Sequence, residues 1–241
     1  KRATVSPPDV EPQFVWPLRV ARGVSLAGGL LMVAAAWVLA RSILRGRAAL
    51  ALAITAVVAF NPQFLFTSTT ITNDVWAAAL STLAVSAAAL AAARSARPRV
   101  WLLVGALCGL ATMTKYSGII TLLPVVLLAV LMRPTWNWHS LAASVPVVKD
   151  LLAKGLAVIG GFLAVTAVQF VHNFSTTGEL LPMQPIRTLL PGLIRPEPLS
   201  LGELWERLAF LTRTYTGIFG YGVRASAGFF ELVDVGLRLA L

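Results

Sequence analysis

The sequence predicts an all-α protein, a polytopic bundle of transmembrane helices with an external segment that contains an amphipathic helix. Three observations predict it. Hydrophobic residues make up 57% of the 241 and charged residues only 12%, against roughly 25% charged in an average soluble domain. Apolar runs approach the roughly 20 residues that a spanning helix needs. The basic residues fall in short clusters between those runs, as topology signals do.

Taken in order, six runs qualify. The first, Val20 to Ala40, is followed by the basic turn Arg41, Arg45 and Arg47. The second, Ala48 to Phe66, leads into the small hydroxyl residues of "TSTTITND". Val75 to Ala93 is the third, and Arg94, Arg97 and Arg99 follow it. The fourth, Val100 to Met113, stops at "TKYSG", and the fifth, Ile119 to Met132, contains Pro124 and ends at Arg133. Gly155 to Val171, preceded by Lys149 and Lys154, is the sixth. Every other loop is basic, and short basic loops stay on the cytoplasmic side. This places Thr67 to Asp74, Thr114 to Ser117 and the chain just after His172 on the outer face.

The expected organisation is an external Pro-rich segment at 1–19, a transmembrane core at 20–171, an external segment at 172–228 and the start of a further helix at 229–241. The segment 172–228 carries five basic residues against four acidic ones. Within it, Leu201, Leu204, Leu208 and Leu211 recur at helical spacing, with Ser200 as cap and Glu203 as its capping-box partner. That helix is expected to lie along the membrane surface. The chain starts at Lys1 without an initiator Met and ends in an apolar run, so an interior piece of a longer protein is expected.

Several function classes are excluded at once. The net charge of +10 does not form one basic face, so no nucleic-acid partner is expected. The single Cys108 permits neither an intrachain disulfide nor a cysteine metal site. His139 and His172 are too far apart for a local metal motif and read as interfacial side chains. No acid–base pair sits in mid-helix and no broken helices recur in two halves, which argues against a transporter. Gly28 and Gly29, and the small-xxx-small pair Gly105 and Gly109, read as close helix packing.

Two ionisable residues stand out. Asp74 lies at the outer mouth of the third helix, where Thr72, Asn73 or Asp74 could cap it; an acid at membrane depth also marks a function, a partner or the interface. Lys115 is a cation on the side where few are expected. It is either snorkelling from a helix end or placed for a lipid-borne phosphate. Tyr116 beside it either lines the same cleft or sits at the interface as aromatics do.

The stretches "LRVARGVSLAGGLL", "AFNPQFLFTSTTITND" and "LLVGALCGLATMTKYSGIITLLP" together resemble a bacterial family of multispanning membrane proteins related to the protein O-mannosyltransferases and the lipid A aminoarabinose transferase, glycosyltransferases of the GT-C fold. The later "QFVHNFSTTGELLP" and "TRTYTGIFGYG" resemble that family's external stretches, with Tyr215, Thr216 and Gly217 in place of a typical Phe-Trp-Gly run and Tyr221 where Trp is common.

The resemblance implies transfer of a sugar from a polyprenyl-phosphate carrier on the outer face of the cytoplasmic membrane. It makes Asp74 the family's second acid, which orients the site or a divalent cation rather than acting as the main base. Lys115 would suit the phosphate, Asn73 and Tyr116 the substrate, and Arg213 and Arg224 are further phosphate candidates. The principal acid of this fold usually lies upstream of the first helix seen here, where Asp9 and Glu11 are the only acids. The competing reading is a non-catalytic membrane module that binds a lipid-linked glycan or assembles with a catalytic partner. Sugar, acceptor, metal dependence and oligomeric state stay open at this stage.

Overall fold

The computed structural model describes residues 12–94, 97–131 and 141–182, together with 188–189, 200 and 202–203. Seven α-helices and one 3₁₀ turn make up these segments, and no strand occurs among the described residues. The helices are α1 (Pro12–Ile43), α2 (Ala48–Ala59), α3 (Pro62–Thr69), α4 (Asp74–Ala93), α5 (Pro98–Thr114), α6 (Leu122–Leu131) and α7 (Leu141–Thr177), with the 3₁₀ turn Tyr116–Thr121 leading into α6.

In their described residues all six apolar runs form helices, but the lengths differ from expectation. Among the described residues, three helices are long and apolar enough to cross a membrane: Gln13–Ile43, Asp74–Ala93 and Val147–Thr177. The second run is not one helix. It divides into α2 and α3, bent by 58°, because Pro62 removes a backbone donor and pushes Asn61 out of the helical region (φ −62°, ψ 124°). The Asn61 side chain then caps α3, accepting from the Phe64 amide at 2.9 Å. The α5 helix has 17 residues, about 25 Å at 1.5 Å per residue, somewhat short of a bilayer core.

Two expected boundaries move. The first helix spans Pro12–Ile43 rather than starting at Val20, so residues 12–19, expected in the external Pro-rich segment, are helical; Pro12 at the start lacks only a donor that would be unpaired anyway. The sixth runs on to Thr177, so 172–177, expected at the start of the external segment, continue α7. There Gly178 adopts φ +72°, with its amide donating to the Phe174 carbonyl at 2.9 Å, a helix stop that favours glycine. Ser200 and Glu203 form the expected capping box. The Glu203 carboxylate accepts from the Ser200 amide at 2.9 Å, and the Ser200 hydroxyl accepts from the Glu203 amide at 3.3 Å. The rest of that helix, and 229–241, lie outside the described residues.

The packing fixes helix directions. Trp76 donates its indole N–H to the Val24 carbonyl at 3.2 Å, and Ser86 its hydroxyl to the Ala35 carbonyl at 2.8 Å, so α1 and α4 run parallel. In the same way Trp101 meets Lys154 and Gly105 meets Val158, so α5 and α7 run parallel. The core sits where α4, α5, α6 and α7 meet, around Trp101, Val104, Cys108, Val125, Val158 and Phe162.

The glycines are what let these helices approach. A Cβ on Gly105 would lie 2.0 Å from the Val158 carbonyl oxygen, and one on Gly161 would lie 1.9 Å from that of Leu102. Backbone-to-backbone contact of this kind admits no side chain. Gly28 likewise lies under the Trp76 ring and Gly29 against Ser68, as expected for close packing.

Candidate functional site

Because α4 begins where α5 ends, the segments expected on the outer face, around Asp74, Thr114 and the chain after His172, gather at one end of the bundle. Each residue reaches it through a local device. At the start of α4, the Thr72 hydroxyl accepts from the Asp74 amide at 3.2 Å. Of the three expected caps, then, Thr72 supplies the side-chain bond. Asn73 occupies the N-cap position with helical dihedrals and makes no capping bond. Its amide instead donates to the Thr114 carbonyl at 2.8 Å, one of the carbonyls that the end of α5 leaves without an intrahelical partner.

Lys115 ends α5 in an extended conformation (φ −154°, ψ 129°). The chain then doubles back tightly, since the Gly118 amide donates to the Lys115 carbonyl at 2.7 Å and a Cβ at Gly118 would lie 2.5 Å from the Ala111 carbonyl. This turn points the Lys115 ammonium at the Asp74 carboxylate, and the two form an ion pair. Their side chains are 48% and 47% exposed, so the pair is open to solvent or to a ligand. The acid in the first turn of α4 also faces the positive end of that helix.

Tyr116 follows, and its hydroxyl accepts from the Asn173 side-chain amide of α7 at 3.4 Å. Asn173 also donates to the Leu180 carbonyl at 2.9 Å and accepts from Gln169 at 2.7 Å. It is almost fully buried. Asn73, Met113, Thr114, Lys115, Tyr116 and Gln169 line a cleft of about 420 Å³.

The structure thus brings Asn73, Asp74, Lys115 and Tyr116 together as the sequence suggested. Arg213, Arg224, Asp9, Glu11 and His139 lie outside the described residues. Sequence reasoning missed the roles of Gln169 and Asn173. The available signal was their i, i+4 spacing on one helix face, just before the Gly178 turn.

Among the described residues no three His, Cys, Asp or Glu side chains converge, and the Asp74 carboxylate beside the cleft is paired with Lys115. What the arrangement offers is a mixed wall: a paired cation and anion, a phenol, and amide groups. Such a wall can hold a phosphate or a hydroxylated ring and orient it against a carboxylate.

The model of a family described as dolichyl-phosphate-mannose-protein mannosyltransferase matches residues 16–164. No curated protein and no solved structure matches the chain. The family match takes in Asp74, Lys115 and Tyr116 and ends before Gln169 and Asn173.

Proposed function

Since the chain belongs to the dolichyl-phosphate-mannose-protein mannosyltransferase family, whose members are membrane glycosyltransferases of the GT-C type, we propose that it forms the core of an enzyme moving a sugar from a polyprenyl-phosphate carrier to an acceptor on the outer face of the cytoplasmic membrane. The observation that carries this reading is the meeting of Asp74 and Lys115 beside Tyr116 and Asn73 at one end of an apolar bundle. A lipid carrier presents its phosphate at that level while its tail stays in the bilayer.

The chemistry asks for three things. The bond between the sugar's anomeric carbon and the phosphate oxygen breaks, and the phosphate leaves with the electron pair. An acceptor hydroxyl or amine attacks that carbon and gives up its proton. The site must hold the departing charge and orient the acceptor. Lys115 supplies a compact positive charge for the phosphate. Asp74 orients Lys115 and the acceptor; the principal base is assigned to a residue beyond the described cleft. Arg213 and Arg224 remain secondary candidates for the phosphate.

One observation favours the second reading, a module that captures a lipid-linked glycan for a catalytic partner: the Asp74 carboxylate beside the cleft is committed to Lys115. The two readings part in one experiment. The complete protein in lipid nanodiscs is given a radiolabelled polyprenyl-phosphate sugar, and transfer and retention are measured for the wild type, Asp74→Asn and Lys115→Ala. Transfer that falls in both variants supports the enzyme. Retention without any transfer by the wild type supports the capture module. Transfer unchanged in both variants, with normal membrane insertion, overturns the site.

A further inference from the structure

We infer that Asn173 is a positioning residue, which turns Tyr116 into a hydrogen-bond donor for a phosphate oxygen of the lipid carrier and pins the chain after α7 beside it. The inference rests on the transferase reading for the identity of the carrier, and on geometry for the rest.

The orientation of the Asn173 amide follows from its neighbours. The Leu180 carbonyl can only accept, so the group 2.9 Å from it is the Asn173 nitrogen. The Asn173 oxygen must then face Gln169, which presents its own nitrogen at 2.7 Å. The second N–H of Asn173 is left for the Tyr116 oxygen at 3.4 Å. With 4% of its surface exposed, Asn173 has to be satisfied in this way, because an unpaired buried amide is costly.

The consequence falls on Tyr116. Its oxygen accepts from Asn173, so its own proton is turned away from that residue, and among the described residues the hydroxyl has no acceptor. Tyr116 lines the cleft beside Lys115 and is 36% exposed. A phenol proton next to an ammonium group suits an anionic oxygen better than a neutral one, since hydrogen bonds to charged groups are the stronger kind.

The same amide holds Leu180. Gly178, with φ +72°, reverses the chain at the end of α7 so that Leu180 returns over Asn173. One side chain therefore sets both the polarity of the Tyr116 hydroxyl and the starting point of the segment that follows.

The test uses the full chain labelled with 3-fluorotyrosine in nanodiscs of zwitterionic lipid. The chain has three tyrosines, so Tyr116→Phe assigns the relevant fluorine signal. Polyprenyl phosphate is expected to shift that signal, and phosphatidylglycerol at the same mole fraction is not. Tyr116→Phe and Asn173→Ala are each expected to weaken polyprenyl-phosphate binding about tenfold, and the double variant to be no weaker than either alone. Additive losses would show that Asn173 does not act through Tyr116 and would overturn the proposal. So would a signal that polyprenyl phosphate leaves unmoved, or one that phosphatidylglycerol moves equally. Should Asn173→Ala fail to fold, Tyr116→Phe decides: unchanged binding overturns the donor role, and weakened binding with a shifted wild-type signal upholds it. Binding and shift without sugar transfer would remove the transferase reading and leave the Asn173–Tyr116 relation standing. Transfer with an unmoved signal would do the reverse.

Discussion

Asp74 and Lys115, 41 residues apart in the chain, form an ion pair that joins the first turn of α4 to the end of α5. Both side chains are about half exposed, and exposed pairs contribute about 1 kcal/mol or less. The pair is therefore poorly suited to a purely structural role. Asp74→Asn and Lys115→Ala are expected to leave the unfolding temperature nearly unchanged while lowering sugar transfer about a hundredfold, the scale seen when a charge-stabilising group is removed. Exchanging the two charges, Asp74→Lys with Lys115→Asp, restores the pair but not the transfer. Thermal unfolding in detergent and a transfer assay on the same samples check this. A loss of stability that tracks the loss of transfer would make the pair a helix clamp.

The contact between α5 and α7 gives the opposite expectation. At Gly105 and Gly161 a methyl group would overlap a backbone carbonyl of the facing helix, and no rotamer change can relieve that. Gly105→Ala or Gly161→Ala is expected to cost about 3 kcal/mol or more, at the upper end of overpacking effects. Gly160, with nothing within 4 Å of its added Cβ, is the control; Gly160→Ala should be neutral or gain up to about 1 kcal/mol from helix propensity. Unfolding midpoints of the three variants measure it.

These two regions also show how far the sequence could be read. Helices α4 and α5 fall within two residues of the apolar runs that predicted them, because hydrophobic length, Thr72 before α4 and Pro98 at the start of α5 are local signals. The pairing of Asp74 with Lys115 was suggested by two charges in places where the membrane disfavours them. The link from Asn173 to Tyr116, 57 residues away, was not legible. It depends on the axial alignment of α5 with α7, which the contacts at Gly105, Gly109 and Gly161 set, and alignment is a tertiary property. The bend at Asn61 and Pro62 was legible in principle, as an Asn-Pro step is a strong turn signal. The length of the apolar run Ala48 to Phe66 outweighed it.

That bend supplies a third prediction. The Asn61 side chain holds the Phe64 amide at 2.9 Å, so Asn61→Ala should cost about 1 kcal/mol, the usual worth of an N-cap, and Asn61→Asp should retain most of it. The effect is local. Hydrogen exchange resolved to single amides should show Phe64 losing protection in Asn61→Ala and keeping it in Asn61→Asp, with the amides of α5 unaffected. Equal protection at Phe64 in all three proteins would mean that Pro62 alone maintains the start of α3.

The last prediction concerns which face of the membrane the cleft opens on. Arg41, Arg45, Arg47, Arg94, Arg97 and Arg99 flank the ends of α1 and α4 and the start of α5, all at the end of the bundle opposite Asp74. At the Asp74 end, α1 carries Arg19 and Arg22, and Lys115 is neutralised by its partner. By the rule that short basic loops stay inside, the surplus of positive charge predicts that the six-arginine end faces the cytoplasm. Cys108 is fully buried, so the native chain gives little background with a membrane-impermeant maleimide and single cysteines can be read directly. Ile71→Cys, at a position 54% exposed near Asp74, should label in intact cells. Arg47→Cys, also exposed, should label only after permeabilisation. The reverse pattern would put Asp74, Lys115 and Tyr116 in the cytoplasm, and a carrier loaded on the outer leaflet could not reach them.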